Sequence, residues 1–199
     1  MCVFVRNGIV LSFPFYPFHF VLAMMSKQQN DDDVRGRIGG NPPKLIEDQI
    51  PDDYRFYATL VHPEKEDIML SIIMHKNFDT LLENNVYPSI EVRVIEHKYS
   101  EIGSNTDKSI LDLGMNSISD YSENHGNNFL FIKVLGEPRL IQPKSYYYEE
   151  LENDNYSFFL QIEEEGYSDN MDYVFMYGAL YLYRHNETGE VIAGFLQCS

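Results

Sequence analysis

The apolar positions of this chain fall in short β-rich runs separated by polar links. Arg55–Val61 and Ile68–Met74 are two such runs, and the link His62–Asp67 between them contains Pro63, so together they predict a hairpin. Ser89–His97 places Ile90, Val92 and Val94 on one side and Glu91 and Arg93 on the other, the pattern of a half-buried strand. Phe129–Leu135 is a compact apolar strand stopped by Gly136-Glu137-Pro138. Tyr156–Ile162, Tyr173–Tyr183 and Val191–Cys198 are further strands, the last two joined by a loop, Arg184–Glu190, with Gly189 at a left-handed position. Helical signals are short. Phe78–Asn84 predicts one or two turns capped by Asn77 or Asp79, and Tyr146–Leu151 predicts another. Tyr99–Asn128 is rich in Ser, Asn, Gly and Asp; its apolar patch Ile110, Leu111 and Leu113 predicts a short helix or strand inside it. With no long 3.6-residue periodicity, the class is mainly β with a few short helices and an α+β tendency.

An internal echo refines this picture. Arg37-Ile38-Gly39-Gly40-Asn41-Pro42-Pro43-Lys44-Leu45-Ile46-Glu47 and Lys133-Val134-Leu135-Gly136-Glu137-Pro138-Arg139-Leu140-Ile141-Gln142 share one pattern once Pro43 is counted as an insertion. Both read basic, two residues, Gly-x-Pro, basic, Leu-Ile, then Glu or Gln. Downstream, Tyr54-x-Phe56-Tyr57 is echoed by Tyr156-x-Phe158-Phe159. Gly40 and Gly136 allow sharp turns while Pro42 and Pro138 fix φ and end the preceding strand. The Leu-Ile pairs are expected to pack under the sheet. The pattern implies two pseudo-repeated halves sharing one core, near 34–128 and 129–199 of a single domain spanning 34–199. A groove between such halves is the default place for a ligand.

Residues 1–33 are set apart from that domain as an extension or polar lead-in. Gly8–Met25 is apolar but holds Pro14, Pro17 and His19, and Arg6 is the one charge in residues 1–25. Three readings fit: an upstream extension with the natural start at Met24 or Met25, a signal or anchor, or an ordered N-terminal element. Cys2 and Cys198 lie at opposite ends, a pair that suits free thiols in a reducing cytoplasm rather than a stapled fold. Export is the alternative if residues 1–25 act as a leader.

Charge narrows the function classes. Thirty-one acids against 15 Lys and Arg give −16, which argues against nucleic acid and against anionic membrane surfaces, unless residues 1–25 are a real leader. No phosphate loop, dinucleotide fingerprint, nucleophile elbow or zinc helix is present, and the six histidines have no metal-ligand spacing. No catalytic residue, metal ligand or cofactor is therefore assigned. Glu163-Glu164-Glu165 could offer carboxylates to a hard cation, but consecutive glutamates on a loop diverge, and solvation is the plainer reading. Between Lys144 and Arg184 there is no basic residue. Glu149, Glu150, Glu152, Asp154, Glu163, Glu164, Glu165, Asp169 and Asp172 lie there, interleaved with Tyr146, Tyr147 and other tyrosines. Acids steer a basic partner and tyrosines supply contact area, so this half is a candidate face for a basic protein. A solubilising face over an ordinary aromatic core is the competing reading. Immunity proteins that neutralise toxins, often small, acidic and β-rich, are one form such a binder takes. The alternative is a small-ligand or enzymatic domain with its site between the halves, near Gly40 and Gly136.

The C-terminal half resembles the YwqG-like family of largely uncharacterised bacterial proteins. The resemblance is carried by Phe131–Gln142, by Phe159-Leu160-Gln161-Ile162 with Glu163, by Tyr177–Tyr183 and by Leu196-Gln197-Cys198. In the N-terminal half only Ile38–Pro42 is similar. Where family members have tryptophan-glycine, this chain has Tyr177-Gly178, and the residues up to the next tyrosine are contracted. The resemblance implies a mainly β, roll-like fold and no established activity.

Overall fold

The structure, a computed structural model, describes residues 4–6, 9–11, 20–22, 25–26, 34–78, 85–119, 121–123, 131–167 and 173–198. It is mainly β. A two-stranded ribbon of β1 (Phe4–Arg6) and β2 (Ile9–Leu11) accompanies two six-stranded antiparallel sheets. The first sheet uses β4 (Met25–Ser26), β5 (Val34–Gly39), β6 (Tyr54–His62), β7 (Lys65–His75), β8 (Val92–Lys98) and β9 (Met115–Ser119), in the order β4-β9-β5-β6-β7-β8. The second uses β3 (Phe20–Leu22), β10 (Tyr121–Glu123), β11 (Ile132–Val134), β12 (Tyr156–Glu163), β13 (Ala179–His185) and β14 (Val191–Gln197), in the order β10-β3-β11-β12-β13-β14. The helical pieces are short: 3-10 turns at Glu47–Gln49, Thr106–Lys108, Ser145–Tyr147 and Glu164–Gly166, and one helix, α1 (Glu149–Asn153). Among the described residues no helix is long and apolar enough to cross a membrane.

The two orders are one order. Strand pairing divides the chain differently from the echo, whose halves lie near 34–128 and 129–199: with β3–β8 and β9–β14 as halves, each sheet holds the second to sixth strands of its own half, with the first strand of the other half inserted beside its third. β3 pairs with β11, and β9 pairs with β5. The echo in the sequence begins only at the third strand of each half, because the exchanged strands before it are too short to carry a pattern.

The echoed residues build the same local geometry twice. Gly39 and Gly40 are both left-handed (φ +71° and +72°), and so are Leu135 and Gly136 (φ +57° and +71°). A Cβ on Gly39 would lie 2.0 Å from the Gly114 carbonyl oxygen, so the first half needs glycine there. The basic residue that opens each echo folds back on the turn it precedes. Arg37 donates to the Asn41 carbonyl and Lys133 to the Glu137 carbonyl, the x of each Gly-x-Pro. In the next strand of each half, β6 against β7 and β12 against β13 break register at equivalent points, leaving Tyr57 and Phe159 as the extra residues of two β-bulges. Both side chains are thereby turned into the space between the sheets, where they join Leu60, Leu70, Ile72, Phe131, Leu160, Phe175 and Leu182. This core fills the space between the sheets.

Each sheet also carries an outer cluster under the loop that follows its Gly-x-Pro turn. Ile46 and Ile50 cover Tyr54, Phe56 and Ile73, while Tyr147 and Leu151 cover Tyr181, Tyr183 and Phe195. The Leu-Ile pairs do not pack alike, contrary to expectation: Ile46 is buried, whereas Leu45 and Ile141 are exposed. In the first half Lys44–Ile46 is a turn closed by a 3.0 Å bond from the Ile46 N–H to the Pro43 carbonyl, so Leu45 and Ile46 face different sides. Tyr173–Tyr183 is not one strand either. It becomes β13 only at Ala179, for a reason that lies in Glu164. Of the expected Phe78–Asn84 turn, residues 79–84 lie outside the described residues.

Candidate functional site

Six of the acid and tyrosine residues singled out in the sequence lie on one short hairpin of helical turns. Tyr147 and Leu151, four residues apart, share a face and are buried on β13 and β14. Burying that face turns Glu149, Glu150 and Glu152 outward, and all three are exposed. Tyr146 is 55% exposed and stacks on Tyr147, with ring centroids 4.3 Å apart. The buried ring thus props the exposed one. Asp154 ends the helix, accepting a 2.8 Å hydrogen bond from the Tyr87 hydroxyl, which pushes the Tyr87 phenol up to about 12. Lys144 sits 5.9 Å above the Tyr146 ring and offers no carboxylate a salt bridge among the described residues. Glu149, Glu150 and Glu152 form no ion pair there either, so their charge faces solvent.

Of the other predicted acids, Glu163 and Glu164 do not extend this face, while Glu165 is exposed. Glu163, the last residue of β12, is buried against Arg139, whose guanidinium lies 3.2 Å from it and 3.8 Å from Glu165. Arg139 precedes the acid-only stretch in sequence, so its neutralising role is invisible until the chain folds. Glu164 is completely buried. Its two carboxylate oxygens accept from the backbone N–H groups of Phe175 and Tyr177, and its own N–H donates to the Gly178 carbonyl. Expecting Glu163 and Glu164 on an exposed surface is therefore corrected: one closes an ion pair and the other organises a loop. Burial, working against those N–H bonds, raises the Glu164 carboxyl to about 7. Gathering N–H groups on one carboxylate coils 173–178 into turns, with Met176 and Tyr177 at φ +52° and +61°, and this ends the expected strand. Tyr173 and Tyr177 stack on its surface with centroids 4.0 Å apart. Asp169 and Asp172 lie outside the described residues. Gly40, Pro42, Gly136 and Pro138 act as the turns described above.

A second device was readable only as disconnected glutamines. Gln161 on β12 and Gln197 on β14 are buried, and each clamps the backbone of the segment after Pro138 through both ends of its amide. Gln161 bonds the Arg139 N–H and carbonyl (2.9 Å each), and Gln197 bonds those of Gln142 (3.0 and 2.8 Å). Tyr181 on β13 donates to the Arg139 carbonyl at 2.7 Å. The extended segment 139–142 is thus strapped across three strands. The sequence signal was an amide within one apolar run and another at the end of a second, neither of which can be buried without partners.

Among the described residues no group of three or more His, Cys, Asp or Glu side chains is disposed to hold a metal ion. No family model, curated protein or solved structure matches the chain.

Proposed function

We propose that this chain is a protein-binding domain whose acidic helical hairpin engages a basic protein partner, neutralisation of a toxin being one biological form of that role. The observation that supports it best is the convergence of Tyr146, Glu149, Glu150, Glu152 and Asp154 on one exposed hairpin, anchored from beneath by Tyr147 and Leu151. Unpaired carboxylates steer encounter, and a propped tyrosine supplies contact area at low entropic cost. A cytoplasmic location is part of the proposal and agrees with a free thiol at Cys198. So is membership of the YwqG-like family. Gln142, Gln161 and Gln197, drawn from three of the resembling blocks, belong to one network, which gives those blocks a shared physical purpose.

The test is capture of a basic partner by the full chain at low and high salt, beside the variant Glu149→Gln/Glu150→Gln/Glu152→Gln. Those side chains are exposed, so the variant keeps its fold. The expected result is salt-sensitive binding weakened about tenfold or more in the variant, or about 1.4 kcal/mol. Partner binding indifferent to both salt and the triple substitution would exclude this face.

A further inference from the structure

The second half shows what this fold lays across its outer polar row. Gln161 is paired with Tyr181 across β12 and β13, and Gln197 lies one position diagonally along β14, opposite Ala179. The strap 139–142 rests on these three side chains. In the first half the same register places Thr59 opposite Ser71, and His97 opposite Met69. Thr59, Ser71 and His97 are therefore the counterparts of Gln161, Tyr181 and Gln197, and they too form a chain of hydrogen bonds. Ser71 Oγ lies 3.0 Å from Thr59 Oγ1 and 2.7 Å from His97 Nε2, and His97 Nδ1 lies 2.6 Å from the Lys98 carbonyl oxygen. A carbonyl can only accept, so His97 Nδ1 carries the proton of that bond.

Among the described residues of the first half, none occupies the place of the strap. Its counterpart, lengthened by Pro43, is drawn outward to segment 100–105: the Lys44 N–H bonds the Glu101 carbonyl (2.9 Å) and the Gly103 N–H bonds the Pro42 carbonyl (2.8 Å). Thr and Ser are also shorter than Gln and Tyr. Together these changes leave a groove of about 610 Å³, floored by Thr59 and His97. Tyr99, Ile102 and Met115 line it and stay 79%, 49% and 57% exposed, a cluster of large apolar side chains that a lone folded chain has no reason to gather.

The geometry points to this groove as a binding site for an extended peptide segment of another protein, laid across β5–β8 as residues 139–142 are laid across β11–β14. Main-chain groups of the peptide meet the Thr59 hydroxyl and its neighbours, and apolar side chains meet Tyr99, Ile102 and Met115. Charge has little part in it: Arg37 is bonded inward to the carbonyls of Gly39 and Asn41, and Glu101 is paired with Lys44. Binding here is thus insensitive to salt, unlike binding to the acidic hairpin.

A phage-displayed random peptide library panned on the full chain at high salt tests it. Enriched peptides are then titrated against the full chain, against Met115→Glu and Tyr99→Ala, and against Glu149→Gln/Glu150→Gln/Glu152→Gln. Both groove substitutions are at exposed side chains, and unchanged denaturation midpoints verify the fold. Expected are peptides with spaced apolar residues that bind the full chain and the acid-face variant alike and lose about tenfold or more with either groove substitution. Failure to enrich any peptide, or binding unaffected by both groove substitutions, overturns the proposal. Basic peptides lost only in the acid-face variant also overturn it, while leaving the reading of the hairpin intact.

Discussion

Glu164 shows how much one side chain can decide in this molecule. It sits where the sequence offers three equivalent glutamates, yet it alone is fully buried and collects the N–H groups of the 173–178 turns. Its carboxyl is raised from 4.5 to about 7, chiefly by burial. The folded state therefore holds this proton over a pH range in which the unfolded chain has released it. Stability from this group is complete below about pH 4.5 and is lost as pH rises through about 7, a contribution of about 3 kcal/mol at 1.36 kcal/mol per unit. Glu163 is shifted in the same direction, again first by burial. Urea midpoints measured from pH 4.5 to 8 are expected to fall across that window, and Glu164→Gln, neutral throughout, should flatten most of the decline. An unchanged slope in that variant would mean that other groups govern it.

At the scale of elements, the molecule relies on loops that return to cover a sheet. The hairpin 145–154 is held by few side chains, and Leu151 is its central one, completely buried among Tyr181, Tyr183 and Phe195. Leu151→Ala should cost about 2–5 kcal/mol through lost burial and a residual cavity. Because the same contact orients Glu149, Glu150 and Glu152, it should also weaken partner binding even at temperatures where the variant is fully folded. Denaturant melts paired with titrations separate the two effects. Elements were legible in the sequence where pattern and turn chemistry agreed, as in the β6–β7 and β13–β14 hairpins. The break at Gly178 was not, because strand-forming residues flank that single glycine on both sides and it is a carboxylate outside the segment that coils 173–178.

At the scale of the whole molecule, strand exchange and a shared core tie the two halves together. Each sheet borrows a strand from the other half, and Tyr57, Phe131, Phe159 and Phe175 interlock between the sheets. Neither half keeps its own sheet intact without the other. Far-ultraviolet circular dichroism and tyrosine fluorescence should therefore report one coincident urea transition. Two separated transitions would show that the halves fold independently.

What the sequence determined by itself is local: short β-rich runs, the paired Gly-x-Pro turns, the twin openings at Tyr54 and Tyr156, and a stretch of acids without a base. Such features depend on backbone geometry and side-chain periodicity over a few residues, so a linear reading reaches them. The tertiary structure decided which features act together. It exchanged β3 and β9 between the sheets, brought Arg139 onto Glu163 and Glu165, and buried Glu164 beneath the 173–178 loop. It also covered the Gln161–Tyr181–Gln197 row while leaving Thr59–Ser71–His97 under an open groove. Those outcomes turn on which surfaces meet and which buried polar groups find partners, and both are settled only when segments far apart in the chain compete for the same space.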